Sequence, residues 1–341
     1  MSILYLGLDV GSSSCHLIGL QPDGSLACDQ HFATSEANLI RIFQALSGQV
    51  HVHLEASELA AWVRSIIAPL VTRVLVSHPR TNAWIAKDPN KCDRVDAFKL
   101  ADLLRMNRVH EVYYPENQAR QTFKQVVQHF DDLTGQQARL KVKIKARLRA
   151  QGVICRGKQV FTVKGREQAL ALVMKLEMRL AIAQLYAVLD QTCQSQREAQ
   201  RLMVRMAKQF SEVVLFQQMP GIGVIGACRF SAYVQTPHRF SSKRKLWRYC
   251  RLGVSERRSD GKRLGRVSLD RAGCGALKNV SRKAFEIARR RPQSNAIKRA
   301  YEQALERTHN AVHARLTVQR KIIAILRAMW ISGQPYCDEM G

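Results

Sequence analysis

The N-terminal part of the chain sets short apolar segments at close intervals with turn residues between them, and this order restricts the possible folds more than any other feature. ILYLGLD at 3–9 and CHLIGL at 15–20 read as strands on either side of a Gly11–Ser14 turn, and Pro22-Asp23-Gly24 turns the chain into a third strand near 25–33. A helical stretch at 35–47 leads to the alternating strand HVHLE at 51–55, and an amphipathic helix near 58–70 leads to RVLVSH at 73–78. The expected architecture is an α/β domain, a three-stranded meander continued by alternating helices and strands.

Charge narrows the function. Lys and Arg number 54 against 27 Asp and Glu, a net charge of +27 in 341 residues, and clusters of Arg spread through a folded sequence point to nucleic acid as the partner. Membrane-surface binding would call for a separate basic amphipathic helix. The chain shows no apolar run of about 18 residues and no basic, cleavable leader, so a soluble intracellular protein without a membrane partner is expected. A hydrophobic content of 46% supports two or three domains with ordinary cores. The nine cysteines are scattered singly with no C-x-x-C pair, which argues for reduced thiols rather than a disulfide framework or zinc site.

The order βββαβαβ followed by a helix matches a ribonuclease-H-like domain. Against the basic background, four acids fall where such a domain would hold metal. Asp9 ends a central strand, Glu55 ends a neighbouring one, and Asp93 and Asp96, three apart, share one face of a helix whose apolar stripe is Leu100, Leu103 and Leu104. Carboxylate oxygens are the hard ligands that Mg²⁺ (or Mn²⁺) prefers, and two such ions about 4 Å apart can activate a nucleophile and stabilise a leaving oxygen in phosphodiester cleavage. His51 and His53 lie on the Glu55 side of their strand and His78 ends the next, positions suited to structural or supporting roles. A competing reading compares LGLDVGSSSCHLIGLQPDG with the first phosphate loop of sugar kinases and actin-like ATPases, although no second phosphate loop or adenosine-binding segment accompanies it.

From about 117 to 208 the pattern is long and helical, read as a helical hairpin or coiled-coil arm with a β-like excursion, GVICRGKQVFTVKG, at its tip. The arm is either a spacer or an oligomerisation element. The remaining region is read as mostly helical and is the most basic. QQMPGIGVIGACRFSAY at 217–233 looks like a helix-hairpin-helix turn in which Gly221 and Gly223 let backbone amides approach a DNA phosphate. Lys243, Arg244 and Lys245 follow, then Arg257, Arg258, Lys262, Arg263 and a run of three Arg at 289–291. The domains are expected at 1–112, 113–210 and 211–341.

Five separate pieces, LDV at 8–10, LEAS at 54–57, NKCDRVDAFKLA at 90–101, PGIG at 220–223 and the stretch from Ser259 to the RAG at 271–273, occur in the order of one family. The chain resembles a DEDD transposase of the insertion-sequence 110 family, whose relatives include the Piv-type DNA invertases. The resemblance implies a RuvC-like catalytic domain in which Asp9, Glu55, Asp93 and Asp96 hold the metal. It implies that Ser259 is the nucleophile, forming a phosphoserine link to DNA that conserves bond energy for rejoining, and that Arg257, Arg258, Lys262 and Arg263 hold the scissile phosphate. It further implies target and donor DNA, a structured noncoding RNA guide (a bridge RNA), a homotetramer in which the serine of one subunit meets the tetrad of another, and a place in the bacterial cytoplasm at the nucleoid. The family commonly has Gly directly after the serine, whereas this chain has Asp260 and then Gly261. A metal-dependent junction nuclease, or an invertase without RNA, would use the same tetrad.

Overall fold

A computed structural model describes residues 3–79, 92–115 and 117–338, and the chain divides into two compact units, Met1–Glu116 and Asn117–Gly341. In the first, β1 (Ile3–Val10), β2 (Ser14–Leu20), β3 (Leu26–Ala33), β4 (Gln49–Glu55) and β5 (Arg73–Ser77) form one mixed sheet in the order β3-β2-β1-β4-β5. The meander β1–β2–β3 is antiparallel because its turns are tight, and β4 and β5 run parallel to β1 because each is reached through a helical crossover. Alternation along the strands sends Leu6, Leu8, Val52, Leu54, Val74 and Val76 to one face. There they bury α1 (Glu36–Gln44) through Leu39, Ile42 and Phe43, and α2 (Ala60–Ile67) through Val63 and Ile67. Helix α3 (Asp93–Arg105) covers the other face, with Ala97 and Ala101 against Ile18 and Leu20. The approach is close because β1 contributes Gly7 there, where an added Cβ would stand 2.0 Å from the Ala97 carbonyl oxygen. This three-layer arrangement is compatible with a ribonuclease-H-like domain. Asn90 and Lys91 of the motif that leads into α3 lie outside the described residues.

The second unit is mostly helical. Helices α4 (Gln118–Ala150) and, after α5 (Val163–Ala171), α6 (Leu176–Ala207) pack antiparallel, with facing residues at steps of three and four. Phe123, Val127 and Phe130 meet Met203 and Ala207 at one end, and Ile144 and Leu148 meet Ile182 and Tyr186 at the other. Between these two apolar ends the seam is polar: Gln196 Nε2 donates to Thr134 Oγ1 at 3.1 Å and Gln137 Nε2 to Cys193 Sγ at 2.9 Å. The segment 152–165, expected to be β-like, contains a 3-10 turn at Gln159–Phe161 followed by α5. Thr162 Oγ1 accepts from the Gly165 amide and so starts a helix where the β-branched residues suggested a strand. Val153, Val160 and Val173 pack under Tyr186, whose hydroxyl donates to the Val160 carbonyl at 2.9 Å.

Beyond the long pair come α7 (Ser211–Gln217), α8 (Val224–Val234), α9 (Lys243–Tyr249), the hairpin β6 (Val254–Ser259) and β7 (Lys262–Leu269), then α10 (Gly275–Arg290), α11 (Ala296–Thr308) and α12 (Ala311–Ser332). Their core is continuous with one end of α4 and α6, around Phe216, Phe230 and Trp330. The region read as mostly helical therefore carries a two-stranded hairpin that its composition did not announce, and its core is shared with the long helices.

Candidate functional site

Leu8 pairs with Leu54 across the parallel strands, so Asp9 and Glu55, the next residue of each, end adjacent strands side by side. Alternation places Asp9 on the face of Gly7, the face covered by α3, whose first turn carries Asp93 and Asp96. Acids in that turn suit the positive end of the helix dipole. The convergence registers in Asp9: burial first, then the charges of Asp93, Asp96 and Glu55, push its carboxyl up to about 6. Among the described residues Asp96 Oδ1 is buried without a hydrogen-bond partner, and a buried polar oxygen is costly to leave unsatisfied.

These observations fit a hard divalent cation, which would occupy the orphaned oxygen and relieve the repulsion at Asp9. Among the described residues no three His, Cys, Asp or Glu already stand as a ready-made metal cage, so the acids share a neighbourhood rather than a preformed ligand set. His53, on the same face as Glu55, is buried. Its Nδ1–H donates to the Leu100 carbonyl at 2.8 Å, and Nε2 accepts from the Ser77 hydroxyl at 2.8 Å. Desolvation brings it down to about 4, which keeps it neutral and suits it to fixing α3 against β4. His51 packs edge-on to Tyr5. The Gly11 amide donates to Ser14 O at 2.9 Å, so this turn spends that donor on itself rather than offering it to a nucleotide phosphate.

Ser259 lies in the second unit, at the tip of the β6–β7 hairpin, paired with Lys262 across a two-residue turn. Asp260 and Gly261 both have positive φ, 50° and 70°, the geometry that an Asp-Gly pair gives a tight hairpin. The Asp260 that departs from the family pattern is thus the first residue of the turn. Ser255 and Ser268 face each other at the base of the hairpin, away from the tip. The basic residues divide. Arg258 and Arg263 are opposite each other and both donate to Glu256 Oε1, at 3.1 and 2.6 Å, whereas Lys262 is the direct partner of Ser259. The side chain of Arg257 lies outside the described residues. The hairpin base is closed where Cys274 N donates to Tyr249 O at 2.6 Å, and Gly273, with φ of 100°, fits because a Cβ would stand 2.3 Å from Tyr249 O.

The two glycines of the P-G-I-G turn separate in the same way. A Cβ on Gly221 would stand 2.3 Å from Ala284 O, so this glycine admits the backbone of α10. Gly223 caps α8 with open space beside it. Lys243, Arg244 and Lys245 are exposed in the first turn of α9, where cations oppose the helix dipole. Sequence reasoning missed a chain beside the acids, in which His16, directly opposite Asp9 on β2, bonds to Asp29 on β3, which in turn holds Arg94. Contacts across 13 and 65 residues leave no local signal.

Among the described residues no helix is long and apolar enough to cross a membrane. Comparison with curated proteins gave no match. Two family models match the chain. A DEDD transposase model of the IS110 type covers residues 6–151, and a model described as transposase IS116/IS110/IS902 family covers residues 213–302. The first match contains all four acids, and the second contains the P-G-I-G turn, the basic first turn of α9 and the hairpin with Ser259. Together they span more than half of the chain, which therefore belongs to the IS110 family of transposases, enzymes that act on the DNA of mobile elements.

Proposed function

We propose that this transposase cuts and rejoins target and donor DNA through a phosphoserine intermediate on Ser259, with Asp9, Glu55, Asp93 and Asp96 holding Mg²⁺ or Mn²⁺, and with a structured noncoding RNA choosing the sites. The observation that supports the metal centre of this reading is the raised carboxyl of Asp9 beside three further acids, with an Asp96 oxygen that has no partner among the described residues. When bound, the metal supplies positive charge for the phosphoryl oxygens and the leaving oxygen. Ser259 Oγ attacks phosphorus, its proton passes to solvent, and the P–O bond to one sugar breaks with that oxygen taking up a proton. Attack by a hydroxyl of the partner DNA reverses these changes and releases the serine, so one phosphodiester replaces another with no external energy source. In this reading Lys262, the cross-strand neighbour of Ser259, binds the phosphate under attack. The excess of 27 positive charges suits a protein that carries DNA and RNA duplexes together in a tetramer.

The test is Ser259→Ala on supercoiled donor and target with the guide transcript. Strand exchange and the covalent protein–DNA adduct are expected to vanish while nucleic-acid binding persists. Metal-dependent nicking that requires Asp9 but proceeds in Ser259→Ala would replace this reading with a hydrolytic nuclease.

A further inference from the structure

Arg94 stands between Asp93 and Asp96 in the first turn of α3, a long flexible cation beside four carboxylates. It is next in sequence to Asp93, and a guanidinium turned in among the acids would lower their affinity for any metal. Its Nε–H instead donates to Asp29 Oδ2 at 2.5 Å, and this is its only ion pair among the described residues. The other oxygen of Asp29 accepts from His16 Nε2–H at 2.7 Å. His16 is anchored in turn, because β1–β2 pairing fixes its backbone opposite Asp9 and its ring packs 5.7 Å from that of His31. Asp29 is therefore gripped from the sheet side and grips the helix side. No acid of the quartet is needed for this chain.

We infer that Asp29, oriented by His16, is a positioning residue that tethers Arg94 outside the carboxylate cluster and so keeps the cluster from being neutralised by its own helix. The inference rests on the metal role proposed for the quartet. A surface ion pair of this kind contributes little to folding; its effect falls on which cation the acids meet. Arg94 is the cause of harm once untethered, so removing Arg94 as well should undo the loss of Asp29, which a merely structural role for Asp29 would not allow.

The experiment is Mn²⁺ titration by calorimetry on the full chain, without DNA, with circular dichroism and urea midpoints as checks of folding. Asp29→Asn is expected to weaken Mn²⁺ binding about 10-fold or more, in the range found for residues that support metal ligands. Asp29→Asn/Arg94→Gln should return to within about twofold of wild type, and Arg94→Gln alone should bind at least as tightly as wild type. Unchanged affinity in Asp29→Asn, or a double variant as weak as the single, overturns the inference while leaving the metal site intact. Wild-type binding that Asp9→Asn does not diminish overturns the metal reading itself, and the tether with it.

Discussion

Asp9→Asn should make the metal-free protein more stable at neutral pH, although it removes the central carboxylate of the proposed site. Asp9 titrates at an ordinary 3.8 in the unfolded chain and at about 6 in the folded one, because folding takes it out of water and places Asp93, Asp96 and Glu55 beside it. A carboxyl raised in this way costs nothing below the unfolded value and destabilises progressively as pH rises from 3.8 through about 6. Each unit is worth about 1.36 kcal/mol, so the full rise from 3.8 to about 6 sets an upper limit of about 3 kcal/mol. Water reaching the partly exposed carboxyl reduces this to an expected gain of about 1–2 kcal/mol. The assay is urea unfolding of both proteins in chelator at several pH values between 4 and 8, with hydrogen exchange of β1 peptides to identify the first unit. The difference should be near zero at the acid end, grow through pH 6 and level off above it. His53, held near 4, loses stability as pH falls, but it is present in both proteins and cancels. Saturating Mg²⁺ should reverse the order, because it stabilises the wild type by mass action through a site the variant has damaged. A wild type at least as stable as Asp9→Asn at pH 7.5 in chelator would refute the convergence of the four acids.

Two further results follow from the packing and the charge. Gly7→Ala places a Cβ 2.0 Å from Ala97 O and 2.4 Å from Ala101 N, so α3 must move off β1. The expected cost is about 1–3 kcal/mol by urea midpoint, together with loss of Mn²⁺ binding, since Asp93 and Asp96 ride on that helix. Replacing Lys243, Arg244 and Lys245 together by Gln should leave folding unchanged and weaken DNA binding. If all three touch phosphate, the slope of log K against log salt should fall in magnitude by about 2.7, or 0.9 for each contact; an unchanged slope would remove α9 from the interface.

How much of this could be read beforehand depended on where the information lay. The first domain was legible because β1, β2, β4 and β5 are each buried on at least one face, so Leu6 and Leu8 or Val52 and Leu54 alternate with residues that point the other way. Once β1 and β4 are taken as parallel neighbours, the adjacency of Asp9 and Glu55 is a matter of counting. The β6–β7 hairpin was not legible by the same rule. The described side chains of its strands, VSERRS and KRLGRVSL, are mostly exposed, and the sequence sets charges at successive positions, so no apolar alternation exists to be read. The available signal was Asp260-Gly261, a turn pair whose positive φ angles the chain needs at that point. The segment 152–165 failed in the opposite direction, because Val153, Val160 and Val163 suggested a strand where one Thr cap decided for a helix. The glycines show why a motif alone cannot assign a role. Gly221 and Gly223 are two residues apart in one turn, yet the first is required by the carbonyl of Ala284 and the second by nothing within 4 Å. A ligand contact at Gly223 and the first amides of α8 is therefore the one that substitution can probe, because Gly223→Ala leaves intact the α10 packing that Gly221→Ala would break.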